Sequence, residues 1–175
     1  MKVILNSEQI EQILESLADR IISETPREFE IAVIGIRSRG EILAQRLANK
    51  LSDELDKDIP CGALDITLYR DDLNSPRSGA GLQVRTTDIG FDIGNKLIIL
   101  FDDVLYTGRS TRAALDALID LGRPRAIKLA VLVERAGREF PIQADYAGYK
   151  ADVAPGKLVQ VSLVESDGKD QVAIE

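Results

Sequence analysis

Leu97-Ile98-Ile99-Leu100-Phe101-Asp102-Asp103-Val104-Leu105-Tyr106-Thr107-Gly108-Arg109-Ser110-Thr111 opens with five apolar residues and then sets two carboxylates side by side. A continuous apolar run of this length suits a strand covered on both faces. The acids then fall at its carboxyl end, where open α/β sheets bind their ligands. Thr107, Ser110 and Thr111 supply hydroxyls, Gly108 lets backbone amides approach a ligand, and an apolar periodicity over 113–121 starts a helix. Free N–H groups and the positive end of a helix dipole form an anion site. The stretch therefore predicts a phosphate held at 107–111, with hydroxyls or a chelated metal near Asp102 and Asp103.

Working outward, the same alternation of strand and helix recurs. Ile10, Ile13, Leu14, Leu17 and Ile21 keep amphipathic helical spacing, with Asn6 and Gln9 placed for a capping box and Thr25-Pro26 as the stop. Residues 31–36 form another apolar run, followed by the turn Arg37-Ser38-Arg39-Gly40 and a helical pattern on Ile42, Leu43, Leu47 and Leu51. Leu64, Ile66 and Leu68 alternate with Asp65, Thr67 and Tyr69, which predicts a strand. Residues 70–88 read as a long flexible loop, a length that is often functional. Strands are also expected at 127–133, 158–164 and 172–174. Strands alternating with helices imply βαβ units and a mainly parallel central sheet. The expectation is one α/β domain over 1–175, with residues 135–160, rich in Gly and Pro, as a small C-terminal hood lobe.

Composition narrows the chemistry. The chain has 175 residues, 22 Lys+Arg against 29 Asp+Glu, one Cys and no His. Without histidine there is no Ser-His-Asp triad, Cys-His pair or His-ligated zinc. Cys61 alone makes neither an intrachain disulfide nor a metal cluster. The pattern GxxxxGK[ST] and a GxGxxG fingerprint after a strand are both absent, which disfavours P-loop and Rossmann nucleotide sites. The net charge of −7 argues against a nonspecific nucleic-acid coat. No apolar run approaches a membrane span and the N-terminus lacks the apolar core of a signal peptide, so a cytoplasmic location without membrane contact is expected.

Residues 98–111 resemble the signature of type I phosphoribosyltransferases, enzymes that bind 5-phosphoribosyl-1-diphosphate (PRPP). Three further stretches are similar to the PyrR group of that family, bifunctional pyrimidine-operon attenuators and uracil phosphoribosyltransferases. They are Gly35-Ile36-Arg37-Ser38-Arg39-Gly40, Asp65-Ile66-Thr67-Leu68-Tyr69-Arg70-Asp71-Asp72, and Arg138-Glu139-Phe140-Pro141-Ile142-Gln143-Ala144-Asp145-Tyr146. The resemblance implies a type I phosphoribosyltransferase fold and transfer of phosphoribose from PRPP to uracil, giving UMP and diphosphate. It implies that Val104, Leu105, Tyr106, Thr107, Gly108, Arg109, Ser110 and Thr111 hold the nucleotide and its 5′-phosphate. Asp102 and Asp103 would bind the ribose hydroxyls, and Ser38 and Arg39 the diphosphate. With Arg39, the two acids form the expected catalytic set. Arg70 and Arg85 are candidate lid cations, and Arg135 and Val159 candidate base contacts. Mg²⁺ would arrive with PRPP, with no separate protein metal site.

The resemblance also implies UMP- or UTP-linked binding of a pyr leader mRNA, for which Arg138 and Lys150 are candidates, and a homodimer or an assembly of dimers. The charge departs from that pattern. Residues 1–30 hold three basic residues (Lys2, Arg20, Arg27) against seven acids, and Glu11, Glu15 and Asp19 lie on the first helix. The alternative is uracil phosphoribosyl transfer without RNA binding. Hypoxanthine or orotate transfer shares the 98–111 signature and differs in the base pocket.

Overall fold

Asn6 starts the first helix by the expected exchange: its side chain accepts from the Gln9 amide and the Gln9 side chain accepts from the Asn6 amide, both at 2.9 Å. That box satisfies two of the amides a helix start leaves unpaired. In the computed structural model, which describes residues 1–72 and 86–175, it opens α1 (Ser7–Glu24), preceded by β1 (Lys2–Leu5). There follow β2 (Ile31–Ile36), α2 (Arg39–Leu55), β3 (Cys61–Leu64), a 3-10 turn at Thr67–Tyr69, β4 (Leu97–Leu105), α3 (Arg109–Leu121) and β5 (Ala126–Arg135). The chain ends with β6 (Tyr146–Ala151), β7 (Val159–Ser162), α4 (Val164–Asp167) and β8 (Gln171–Ile174).

The central sheet has the order β3-β2-β4-β5-β6, and all of its pairings are parallel. The connection from β2 through α2 steps to one side, and that from β4 through α3 to the other. Right-handed crossovers running in opposite directions must place α2 and α3 on opposite faces. Alternate side chains of one strand accordingly enter two cores. Val33, Ile99 and Phe101 pack under α1 and α2, while Ala32, Ile34, Ile98 and Leu100 pack under Ala113, Ala114 and Leu118 of α3. The order reverses between β2 and β4, which opens a crevice at their carboxyl ends.

Two expectations need correction. The hood is a separate antiparallel sheet of order β1-β8-β7, joined to the α1–α2 core through Leu5, Val161 and Val172. It is thus built from the two ends of the chain and not from 135–160, because Tyr146–Ala151 pairs in parallel with β5 as the edge of the central sheet. The strand read from Leu64, Ile66 and Leu68 ends at Leu64. There the Asp65 carboxylate accepts from the Thr67 amide (2.9 Å) and hydroxyl (2.6 Å), folding the chain into a turn that leaves Leu68 exposed. Of the 70–88 loop, residues 73–85 lie outside the described residues; its far flank returns to the sheet edge at a bridge between Ala63 and Asp88. Among the described residues no helix is long and apolar enough to cross a membrane.

Candidate active site

β4 carries the acids into the crevice. Asp102 is buried, 8% exposed, and Asp103 is half-buried beside it. The Asp103 amide donates to Asp102 Oδ1 (2.9 Å) and the Val104 amide to Asp103 Oδ1 (2.8 Å). Burial, and then the neighbouring Asp103 charge, push the Asp102 carboxyl well above the ordinary carboxylate range. Burial raises Asp103 too, against the opposing pull of hydrogen bonds and of the Arg39 charge. Two such groups call for cations and hydroxyl donors.

The loop after β4 turns on Gly108, whose φ of +90° is left-handed backbone that side chains rarely adopt. Gly108 is the N-cap of α3 and has no side chain to cap it; the Arg109 amide donates to Thr107 Oγ1 (3.3 Å), and no side chain is bonded to the next amides of the first turn among the described residues. The Thr107 carbonyl accepts from the amides of Glu139 (2.9 Å) and Phe140 (3.1 Å), which brace the loop from behind. Arg109 is directed away from the loop, pairing with Asp71 and with Glu139 (2.7 Å) and lying over the Phe140 ring. Only its backbone amide is turned to the loop, donating to Thr107 Oγ1.

The turn from β2 to α2 lies opposite. Its Arg37–Ser38 peptide is cis. A Cβ on Gly40 would stand 2.6 Å from the Phe101 carbonyl oxygen and 3.3 Å from Asp102 Cα, so only glycine lets the start of α2 rest on the end of β4. Arg39, the first residue of α2, donates from Nη2 to Asp167 Oδ1 (2.9 Å), while its buried Nε–H has no partner among the described residues. Arg37 instead reaches the Thr86 carbonyl and Glu41. A cleft of about 280 Å³ brings together Ser38, Arg39, Asp102, Asp103, Val104 and Ser110. Arg70 lines it as well, with its guanidinium on Asp72; Arg85 lies outside the described residues. A larger concavity, of about 810 Å³, sits at the opposite edge around Ile22, Phe29 and Leu55. It has neither the paired acids nor an open helix start.

Beside the cleft, the half-exposed Tyr106 ring lies under the Arg135 guanidinium, 4.1 Å from Cζ to the ring centre. Gly137 (φ +120°) makes room for it, since a Cβ there would fall 2.3 Å from Tyr106 Cε2. Arg135 Nη1 donates to the Lys157 carbonyl (2.6 Å), two residues before Val159 at the start of β7. Arg138 donates to the Tyr106 carbonyl and to Glu134, and it shares a groove of about 520 Å³ with Lys150. Sequence reasoning missed Asp167 and Gly137. Gly137 left no pattern to find, and Asp167 lies 128 residues from Arg39.

The family model described as "Phosphoribosyl transferase domain" matches residues 1–166. The Bifunctional protein PyrR of Deinococcus deserti is 50% identical over 171 residues, covering 98% of this chain and 92% of that protein. The Bifunctional protein PyrR of Thermus aquaticus is 47% identical over 171 residues, with coverage of 98% and 93%. Among solved structures, a hypoxanthine-guanine phosphoribosyltransferase from Bacillus anthracis matches with a TM-score of 0.70, covering 99% of this chain and 96% of that one. Its identity of 17% makes that a likeness of fold. A parallel sheet with paired acids at its switch point, an open helix start beside them and half-identity to relatives along nearly the whole chain place this protein in the phosphoribosyltransferase family, among the bifunctional PyrR proteins.

Proposed function

We propose that this protein transfers the phosphoribosyl group of PRPP to uracil, forming UMP and diphosphate, and that with UMP bound it recognises a pyr leader RNA. The observation that carries the enzymatic reading is the cleft that joins buried Asp102 and half-buried Asp103 with Arg39 and with Ser110 in the first turn of α3. The opening amides of α3 would hold the 5′-phosphate. The carboxylates would accept from the ribose hydroxyls, which also return them to their charged forms. Arg39 and Ser38 would meet the diphosphate, to which the guanidinium fork is suited.

In the reaction a uracil ring nitrogen forms the new bond to the anomeric carbon, the bond from that carbon to diphosphate breaks, and the nitrogen gives up its proton. Positive charge develops on the sugar and negative charge on the leaving group, so fixed acids and an arginine on the two sides are the stabilisers required. Among the described residues no three acidic or Cys side chains converge on a metal site. Mg²⁺ is commonly held by one or two carboxylates together with substrate phosphates, which fits Asp102 and Asp103. Bound there with PRPP, it would neutralise charge on the departing diphosphate. Tyr106 and Arg135, stacked on each other, and the backbone near Val159 would border the base.

Purified protein with Mg²⁺, PRPP and labelled uracil should yield UMP, and Asp103→Ala should lower the rate by about 10²-fold or more. Absence of product, or equal rates for the two proteins, would overturn the enzymatic reading. The RNA reading is supported by the shared groove of Arg138 and Lys150.

A further inference from the structure

Arg39 is held by a residue that the sequence does not place near it. Asp167 ends α4 in the small antiparallel lobe, and its carboxylate is itself fixed. One oxygen accepts from the Leu163 amide (2.9 Å) and the Ser166 hydroxyl (2.7 Å), and the other from Arg39 Nη2 (2.9 Å). Those contacts, led by the Leu163 amide, hold the carboxyl below its ordinary range, so it is a charged acceptor at neutral pH. The partnership leaves the Nε–H of Arg39 buried and without an acceptor among the described residues, on a side chain that lines the cleft. A buried donor without a partner is costly, and an incoming oxyanion would satisfy it.

We propose that Asp167 is a positioning residue for diphosphate: it fixes one side of the Arg39 guanidinium so that the remaining N–H groups stand ready for the leaving group. The inference rests on the reading of the cleft as a PRPP site. An arginine free to wander loses rotamer freedom when it binds, and an arginine already tied does not lose it again. The tie also links the lobe built from the chain's two ends to the leaving-group end of the cleft. Two turns further along α2, Arg46 pairs with Glu165 (2.8 Å through Nε) and with Asp170 (2.8 and 2.9 Å). The lobe is thus pinned at two points, and only one of them involves Arg39.

That separation supplies the controls. Binding of Mg²⁺-diphosphate, of PRPP and of UMP is measured by calorimetry for the wild type, Asp167→Ala, Asp170→Asn, Arg39→Ala and the double variant Arg39→Ala/Asp167→Ala. Asp167→Ala should weaken diphosphate and PRPP about five- to tenfold, the size of one immobilised long side chain. UMP, which carries no diphosphate, should change less than about twofold on the same reasoning. Asp170→Asn should leave all three ligands nearly unchanged, and in the Arg39→Ala background removal of Asp167 should add nothing. The proposal is overturned if Asp167→Ala weakens UMP as much as PRPP, or weakens PRPP equally without Arg39. It is also overturned if PRPP binds more tightly, since Asp167 would then be a competitor for the guanidinium. Wild-type protein that binds neither PRPP nor diphosphate would instead remove the functional reading, and the inference with it.

Discussion

A carboxylate at the end of a buried strand costs the ligand-free fold something, and Asp102 is such a group. Its folded pKa is raised by burial and by Asp103. Relative to the unfolded chain, the stability it contributes is complete below the unfolded value, about 3.9, and is lost as pH rises through the raised folded value. Asp102→Asn should therefore raise the melting temperature of the ligand-free protein at pH 8, by roughly 2–4 °C for each kcal/mol regained. The gain should shrink toward pH 4, while uracil transfer falls. A melting temperature that is unchanged at pH 8 would mean that the charge is already compensated without ligand. Gly40 makes a second case. The Cβ of Gly40→Ala would press on the backbone of Phe101 and Asp102, and overpacking of this kind costs about 1–3 kcal/mol. Activity should drop further than stability, because the shift separates Arg39 from the acids; melting and kcat/KM for PRPP read the two effects. At this scale the acids and the glycine-turned loop that follows them were legible because they are contiguous in the chain. Asp167 was not, because its partnership exists only once the lobe has folded onto α2.

Elements were legible where burial is two-sided or strongly periodic. β2 and β4 announced themselves as apolar runs, and α1 by spacing and a capping box. β6 did not: it is a sheet edge of mixed polarity, with Gly148 lying so close beneath α1 that a Cβ would fall 2.3 Å from Ile13 Cγ2. A sequence that answers to one neighbour on each side, and not to a repeating face, shows no period. β1 is four residues long and mostly exposed, and it becomes a strand only by pairing with β8. What fastens that small sheet to α2 is testable. Arg46 holds the carboxyls of Glu165 and Asp170 below their ordinary range through its hydrogen bonds. Groups of this sign contribute stability above their unfolded values, near 3.9 and 4.3, and lose it as pH falls through the lower folded values. Arg46→Ala should cost about 1–2 kcal/mol at pH 7, allowing for the solvent exposure of Glu165. The difference from wild type in denaturant titration should narrow below about pH 4. A cost that does not vary with pH would assign the loss to packing of the arginine stem.

For the whole molecule, charge and fold make different demands on RNA. The chain carries a net −7, and on α1 Glu11 and Glu15 are engaged by Lys50 of α2, which relieves part of that face without making it basic. The cations expected to meet RNA are gathered elsewhere, with Arg138 and Lys150 on one groove beside Tyr106 and the base end of the cleft. Arg138 also donates to the Tyr106 carbonyl, so under the proposed function a nucleotide bound against Tyr106 would act on Arg138 as well. Affinity resting on about two cations should show a shallow salt dependence, with a slope of log K against log salt near −2. Lys150→Ala should make that slope shallower by about one. Gel shifts with the pyr leader hairpin, from low to physiological salt and with and without UMP, measure both. Tighter binding to the leader than to an unrelated hairpin, increased by UMP and reduced by Lys150→Ala, is the expected result. Equal affinity for both hairpins would leave the acidic first helix in control and the protein a transferase without an RNA target.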